Sequence, residues 1–97
     1  RLKIDNAAAA DLELDSATWG NGYMVVTRNA SNVLTLFWNG AEQTTATPTL
    51  SGTANIDSIG VRRTDLNPYD GTISEIQIYD TESTALTANV NTYLSNI

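Results

Sequence analysis

Val33-Leu34-Thr35-Leu36-Phe37-Trp38-Asn39-Gly40 is the stretch from which the fold is read. Its first six residues are β-branched, aliphatic or aromatic, the types that suit a pleated, partly covered surface. Asn-Gly follows at once. Both central residues of a type I′ turn need positive φ, and this pair tolerates it best, so a tight hairpin is predicted with Ala41 to Thr45 returning antiparallel. Upstream, Tyr23 to Arg28 reads as another strand, with Met24 and Val26 on one face and Tyr23, Val25 and Thr27 on the other. Asn29 to Asn32 has the polar composition of a turn between the two. Three consecutive antiparallel strands are therefore expected from residue 23 to residue 45.

Outward from this meander the signals alternate between strand and turn. Thr47 to Leu50 and Ser51-Gly52 read as a loop bordering an edge strand, because Pro48 lacks the donor that a central strand needs. Ile56 to Arg62 and Thr72 to Tyr79 read as strands, separated by a loop from Arg63 to Asp70 that ends in Asp70-Gly71. In the second of these, Ile76 and Ile78 share a face while Ile73 and Tyr79 take the other, which calls for a bulge or for cover on both faces. At the C-terminal end the period changes. Leu86, Val90, Tyr93 or Leu94, and Ile97 recur at helical spacing, and Thr87 is the expected N-cap of a short amphipathic helix. At the other end, Arg1 to Asp5 and the Leu12/Leu14 pair read as short strands. The Ala7 to Ala10 run between them is expected to be a loop, since four residues cannot nucleate a helix alone. The fold class expected is all-β, an antiparallel sandwich with a short C-terminal helix.

Composition limits what such a domain can do. The 97 residues suffice for one domain. Charged residues are 16% of the chain, against roughly 25% in average usage, and Thr, Asn and Ser fill the gap. This uncharged polar surface is common on extracellular and virion β-proteins. The net charge of −6 and the scarcity of Lys and Arg argue against nucleic acid and against an anionic membrane. No Cys and no His are present, which excludes disulfides, thiol nucleophiles, His-based zinc sites and a Ser-His-Asp triad. No apolar run approaches the ~20 residues that a membrane helix needs. The sequence begins at Arg1 rather than Met, as expected of part of a longer chain.

Three segments together resemble the laminin-G-like, concanavalin-A-like jelly-roll family. Trp19 with the strand through Thr27-Arg28 is similar to the family's "W…V…TR" strand. Leu36-Phe37-Trp38-Asn39-Gly40 is similar to its "LYVNG" hairpin. Ile59-Gly60 followed by Tyr69-Asp70-Gly71-Thr72-Ile73-Ser74-Glu75-Ile76-Gln77-Ile78-Tyr79-Asp80 is similar to its "IG…(F/Y)xGxIxEvxIYd" strand, and Leu86-Thr87 with Tyr93-Leu94 resembles its "Ls…YL" helix at a spacing about a turn shorter. The match runs from residue 19 to residue 97 and corresponds to the C-terminal part of a longer domain. The resemblance thus implies a concanavalin-A-like jelly roll, either a single short domain over 1–97 or its C-terminal part, with front strands missing, shortened or supplied by another chain.

Candidate sites follow. Trp19, Trp38, Tyr69 and Tyr79 are aromatics whose faces suit the C–H side of a sugar ring, or which fill a core instead. Trp38 at a hairpin end, Tyr69, and Asn67 beside it are the residues singled out for ligand binding. The resemblance also implies Ca2+ held by loop oxygens, for which Asp65, Asn67 and Asp70 are the candidates; the competing role of such residues is turn formation. Glu75 sits mid-strand without the Glu-x-Asp-x-x-Glu arrangement of glycosidases of this fold. It reads as a structural acid bonded to backbone or to an Arg such as Arg62. Asn29-Ala30-Ser31 fits a glycosylation sequon in an accessible turn. Catalysis is not expected.

The function expected is a structural or adhesion module of a larger extracellular assembly. Within that class, a virion component is favoured: a capsid decoration protein, a fibre or a tail adhesin. Its partners would be neighbouring protein subunits, with a cell-surface glycan as a further ligand, and neither nucleic acid nor membrane insertion is expected. A glycan-binding lectin module of a secreted bacterial protein is the alternative.

Overall fold

The computed structural model describes residues 2–4, 8–10, 20–43, 49–53, 59 and 68–97. The expected meander is present. β3 (Met24–Arg28), β4 (Leu34–Trp38) and β5 (Ala41–Gln43) form a three-stranded antiparallel sheet in the order β3-β4-β5. β1 (Leu2–Ile4) and β2 (Ala8–Ala10) form a separate antiparallel pair. One helix, α1 (Thr84–Leu94), follows near the C-terminal end and packs against β3. The described residues are thus a small, mostly sheet structure with one short helix.

Register decides which side chains meet. Val26 faces Leu36, Arg28 faces Leu34 and Met24 faces Trp38 across β3 and β4, while Leu36 and Trp38 face Gln43 and Ala41 of β5. Cross-strand partners share a face, so Leu34 and Leu36 lie on the same side as Met24, Val26 and Arg28. Leu34 is fully buried and Leu36 is 3% exposed; with Leu50 they are the buried apolar residues among those described. Leu50 is brought there by the chain after β5. Thr49 bridges to Val33, the Leu50 amide donates to the Asn32 carbonyl, and the Arg28 guanidinium donates to the carbonyls of Leu50 and Gly52. The predicted edge strand at 47–50 is therefore reduced to one bridge, with Arg28 holding the segment over the sheet.

Both turns of the meander close as their chemistry requires. Asn39 and Gly40 have φ of 49° and 80°, positive at both positions as a type I′ turn demands. Between β3 and β4, the Asn32 amide donates to the Asn29 carbonyl, and Asn32 takes a φ of 62° in the left-handed region that Asn tolerates. The Asn29 side chain fixes this turn by accepting from the amides of Ser31 and Val33. Asn29 in the Asn-Ala-Ser triplet thus has a role in turn geometry.

Four expectations are corrected. The Ala run is not a loop: Ala8–Ala10 pair with Leu2–Ile4, the ladder overriding the weak strand propensity of Ala. Thr72 to Tyr79 is not a strand. Its β-branched composition favours extension, but no ladder joins it to the described residues, and a strand exists only where another supplies hydrogen bonds. The helix starts a turn earlier than expected. Ser83, not Thr87, is the N-cap: its backbone is extended (φ −152°) and its Oγ accepts from the Leu86 amide at 3.1 Å. Thr87 lies inside the helix with Leu86, Val90, Asn91 and Leu94, all half-buried, whereas Tyr93 and Ile97 are exposed. Finally, β4 begins at Leu34, with Val33 engaged only in the bridge to Thr49. The expected strand at 12–14 lies outside the described residues, as does that at 56–62 apart from the exposed Ile59, and as does Trp19.

Candidate functional site

Of the residues singled out for binding, Asp65 and Asn67 lie outside the described residues, and so does Arg62. Asp70 is exposed. No group of three metal-ligating side chains occurs among the described residues. Tyr69 is 58% exposed and folds back over Gly71, where a Cβ would stand 2.7 Å from the ring and its hydroxyl. Trp38 is half-buried at the end of β4, between Met24 and Ala41. The hairpin position expected to leave Trp38 open instead places it in the middle strand of the sheet. Neither Trp38 nor Tyr69 lines the groove described next.

That groove lies between α1 and the 75–79 segment. Gln77, Tyr79, Leu86, Asn89, Val90 and Tyr93 line a volume of about 340 Å³. The segment and the helix are tied by a chain of hydrogen bonds. The Tyr93 hydroxyl donates to Glu75 Oε2 at 3.1 Å, Gln77 Nε2 donates to Glu75 Oε1, and the Tyr79 hydroxyl donates to Gln77 Oε1 at 3.0 Å. The bonds of Glu75 thus go to the side chains of Gln77 and Tyr93 rather than to the backbone or the Arg expected of it, and Arg62 lies outside the described residues. Residues 75, 77 and 79 reach one another because alternate side chains of an extended backbone share a side.

The sequence reading missed this groove, although Tyr79 and Tyr93 were both visible to it. Nothing in local spacing shows that two tyrosines 14 positions apart would flank one depression. The signal that could have found it is the alternation Glu75-x-Gln77-x-Tyr79, a polar stripe on an otherwise apolar segment.

Glu75 also acts on the ionisation of Tyr93. Accepting from the phenol, and adding its own negative charge, Glu75 raises the Tyr93 pKa above the ordinary 10.0, with smaller contributions from burial and from Tyr79. An unfolded chain releases this proton at the ordinary pKa, while the folded chain holds it longer. The bond's contribution to stability is therefore whole below about pH 10 and is lost as pH rises through the folded pKa. The stability difference between the wild type and Tyr93→Phe is expected to be constant from pH 7 to 9 and to shrink above pH 10. Urea melts at stepped pH measure it; parallel curves through pH 11 would show that the bond is not made in solution.

Scans against family models, curated proteins and solved structures find no match to this chain. No described helix is long and apolar enough to cross a membrane.

Proposed function

We propose that this chain is a non-catalytic structural or adhesion module of a larger extracellular assembly, held in place by neighbouring protein subunits. The observation that carries this reading is the segment after Gly71. Ile73, Ile76, Ile78 and Tyr79 are 48, 48, 62 and 52% exposed within eight residues, on backbone that no ladder joins to the described residues. An extended, apolar, solvent-facing segment is a template for another chain, and soluble monomers blunt such segments with Lys, Pro or bulges. Here Glu75 is the charged residue between Thr72 and Tyr79, and its carboxylate is engaged by Tyr93. Met24 and Val26 on β3 add exposed apolar surface.

Within this class we favour a virion component such as a decoration protein, fibre or tail adhesin, built on the C-terminal part of a concanavalin-A-like jelly roll. The three-stranded sheet with its Asn39-Gly40 hairpin and the C-terminal helix support two parts of that reading, whereas residues 72–79, a strand in the resemblance, join no ladder with the described residues. Thr- and Asn-rich, weakly charged surfaces and the lack of Cys agree with a fold that depends on neighbours rather than disulfides.

Sedimentation velocity tests the reading. The chain is expected to associate progressively between about 1 and 100 µM, the range in which a weak apolar contact populates. Ile76→Lys with Ile78→Lys is expected to abolish the association while leaving the far-ultraviolet spectrum unchanged. A monodisperse, cooperatively folding wild-type monomer over that whole range would overturn the assembly reading and favour the free-standing lectin.

A further inference from the structure

Two Asn-Gly pairs, Asn21-Gly22 and Asn39-Gly40, occur among the described residues, and they touch each other in the fold. We propose that Asn21 is a site of spontaneous deamidation in the folded chain, that the hairpin turn shields Asn39 from the same reaction, and that conversion of Asn21 removes this shield.

The reaction needs only water. The backbone nitrogen of the following Gly attacks Cγ of the Asn side chain. The new N–Cγ bond closes a five-membered succinimide, and the Cγ–Nδ2 bond breaks. Nδ2 leaves as ammonia, and the proton that the Gly nitrogen gives up reaches it through water. A second step consumes one water and opens the ring. Breaking the N–Cγ bond gives aspartate. Breaking the bond from nitrogen to the main-chain carbonyl carbon gives isoaspartate, whose backbone runs through Cγ. Gly is the most permissive follower, because it places no Cβ beside the attacking nitrogen.

Ring closure requires the Gly nitrogen to lie nearly eclipsed with the Asn Cβ. Asn39 cannot supply this while its turn is closed. With φ of 49° and 80° at Asn39 and Gly40 the turn is type I′. Its first central residue has ψ of about 30°, which sets the Gly40 nitrogen nearly anti to Cβ. The side chain is seated as well. Asn39 Oδ1 accepts from the Tyr23 amide at 3.0 Å, and the Asn39 amide donates to the Tyr23 carbonyl at 3.0 Å. A Cβ on Gly22 would overlap Asn39 Oδ1 and stand 2.9 Å from Nδ2, so the amide group rests against the Gly22 backbone.

Asn21 has neither restraint. It is exposed, lies at a bend ahead of β3, and is outside the left-handed region. Its side chain makes no hydrogen bond to the described residues, and the Gly22 amide, the attacking group, has no acceptor among them. The two sites are coupled because Gly22 both follows Asn21 and supports Asn39. Isoaspartate at 21 lengthens the main chain by one carbon just before Gly22 and Tyr23. That shift draws the Tyr23 amide away from Asn39 Oδ1, and the hairpin tip then opens more often. Isoaspartate at 39 is incompatible with a two-residue loop, so the second conversion dismantles the β4–β5 hairpin. The entry to β3 thus carries a one-way chemical clock that runs in order, 21 before 39.

Peptide mapping by mass spectrometry tests this on the whole chain, aged in mildly alkaline buffer with and without unfolding concentrations of urea. Fragmentation separates isoaspartate from aspartate. The ratio of the two rates is read within each sample, so effects of buffer and urea cancel. In urea Asn21 and Asn39 are expected to react at similar rates. In the folded chain Asn21 should react about tenfold or more faster, since Asn39 reacts only when the tip opens. Gly22→Ala is expected to reverse the order, because its Cβ hinders attack on Asn21 and displaces the Asn39 side chain. Asn21→Gln, which removes the first conversion without touching Gly22, should slow the appearance of isoaspartate at 39. Equal rates at the two sites in the folded chain, or a faster Asn39, would overturn the proposal. An Asn39 rate unchanged by Asn21→Gln would overturn the coupling.

Discussion

Leu36→Ala is expected to lower the stability of the chain by about 2–5 kcal/mol, the range for truncating a leucine in a well-packed core. Leu36 occupies the middle of β4, 3% exposed, opposite Val26 on one side and Gln43 on the other. With Leu34 and Leu50 it forms the buried apolar cluster of the described residues. A chain of this length has a total stability of roughly 5–15 kcal/mol, so this one substitution removes a large part of it. The measurement is a urea melt in the Ile76→Lys, Ile78→Lys background, where association does not add to the apparent stability. The midpoint should fall with an unchanged slope. Leu36→Val, which deletes one buried methylene, is expected to cost about 1 kcal/mol and covers the case in which the alanine variant does not fold. Thr35→Ala, one residue along and on the opposite face, should cost far less. Equal losses at 35 and 36 would mean that the face assignment is wrong.

The strand that carries this cluster was legible in the sequence, though not which of its residues are buried, and the reason is local. In Val33 to Trp38 strand propensity and an adjoining Asn-Gly turn point the same way. The turns were legible for the same reason, since positive φ is a property of single residues such as Asn32, Asn39 and Gly40. What local reading could not supply was partnership. Thr72 to Tyr79 has the composition of a strand, yet no ladder joins it to the described residues, because pairing depends on what lies beside it rather than on its own residues. The Ala8–Ala10 strand is the converse: its composition argues against a strand, and its pairing with Leu2–Ile4 makes one.

The helix and the groove divide along the same line. The spacing of Leu86, Val90 and Leu94 announced α1 and its inner face. Its start was misplaced because Ser83 and Thr87 are both capable caps. Local sequence does not decide which adopts the extended backbone that frees a side-chain oxygen for the first turn. The groove residues were visible one by one, but their meeting depends on α1 lying beside residues 75–79. The aromatics chosen from sequence, Trp38 for its place at a hairpin end and Tyr69 for its chemistry, lie elsewhere: Trp38 half-buried at the end of the middle strand and Tyr69 over Gly71.

Gly40→Val is expected to be the second most damaging single change, at about 2–3 kcal/mol. Gly40 has φ of 80°, a region that β-branched residues enter only under strain, and the new Cβ would stand 2.9 Å from the Tyr23 hydroxyl. The tyrosine hydroxyl is the end of a flexible side chain and can move, so most of the cost is the backbone's. Release of that strain would open the Trp38–Ala41 end of the β4–β5 ladder. Asn39→Gly separates this cost from a second one. Glycine keeps the positive φ but loses the Asn39 Oδ1 that accepts from the Tyr23 amide at 3.0 Å, leaving only the backbone bond from the Asn39 amide to the Tyr23 carbonyl. That variant should lose about 1 kcal/mol, the net worth of one hydrogen bond, and its loss should appear as faster amide exchange at Tyr23 rather than at Gln43. Gly40→Val should show the reverse, with exchange quickened at β5 first. Were both variants to loosen the same amides equally, Asn39 would be acting only as a turn residue, and the tie between the hairpin tip and the start of β3 would not exist.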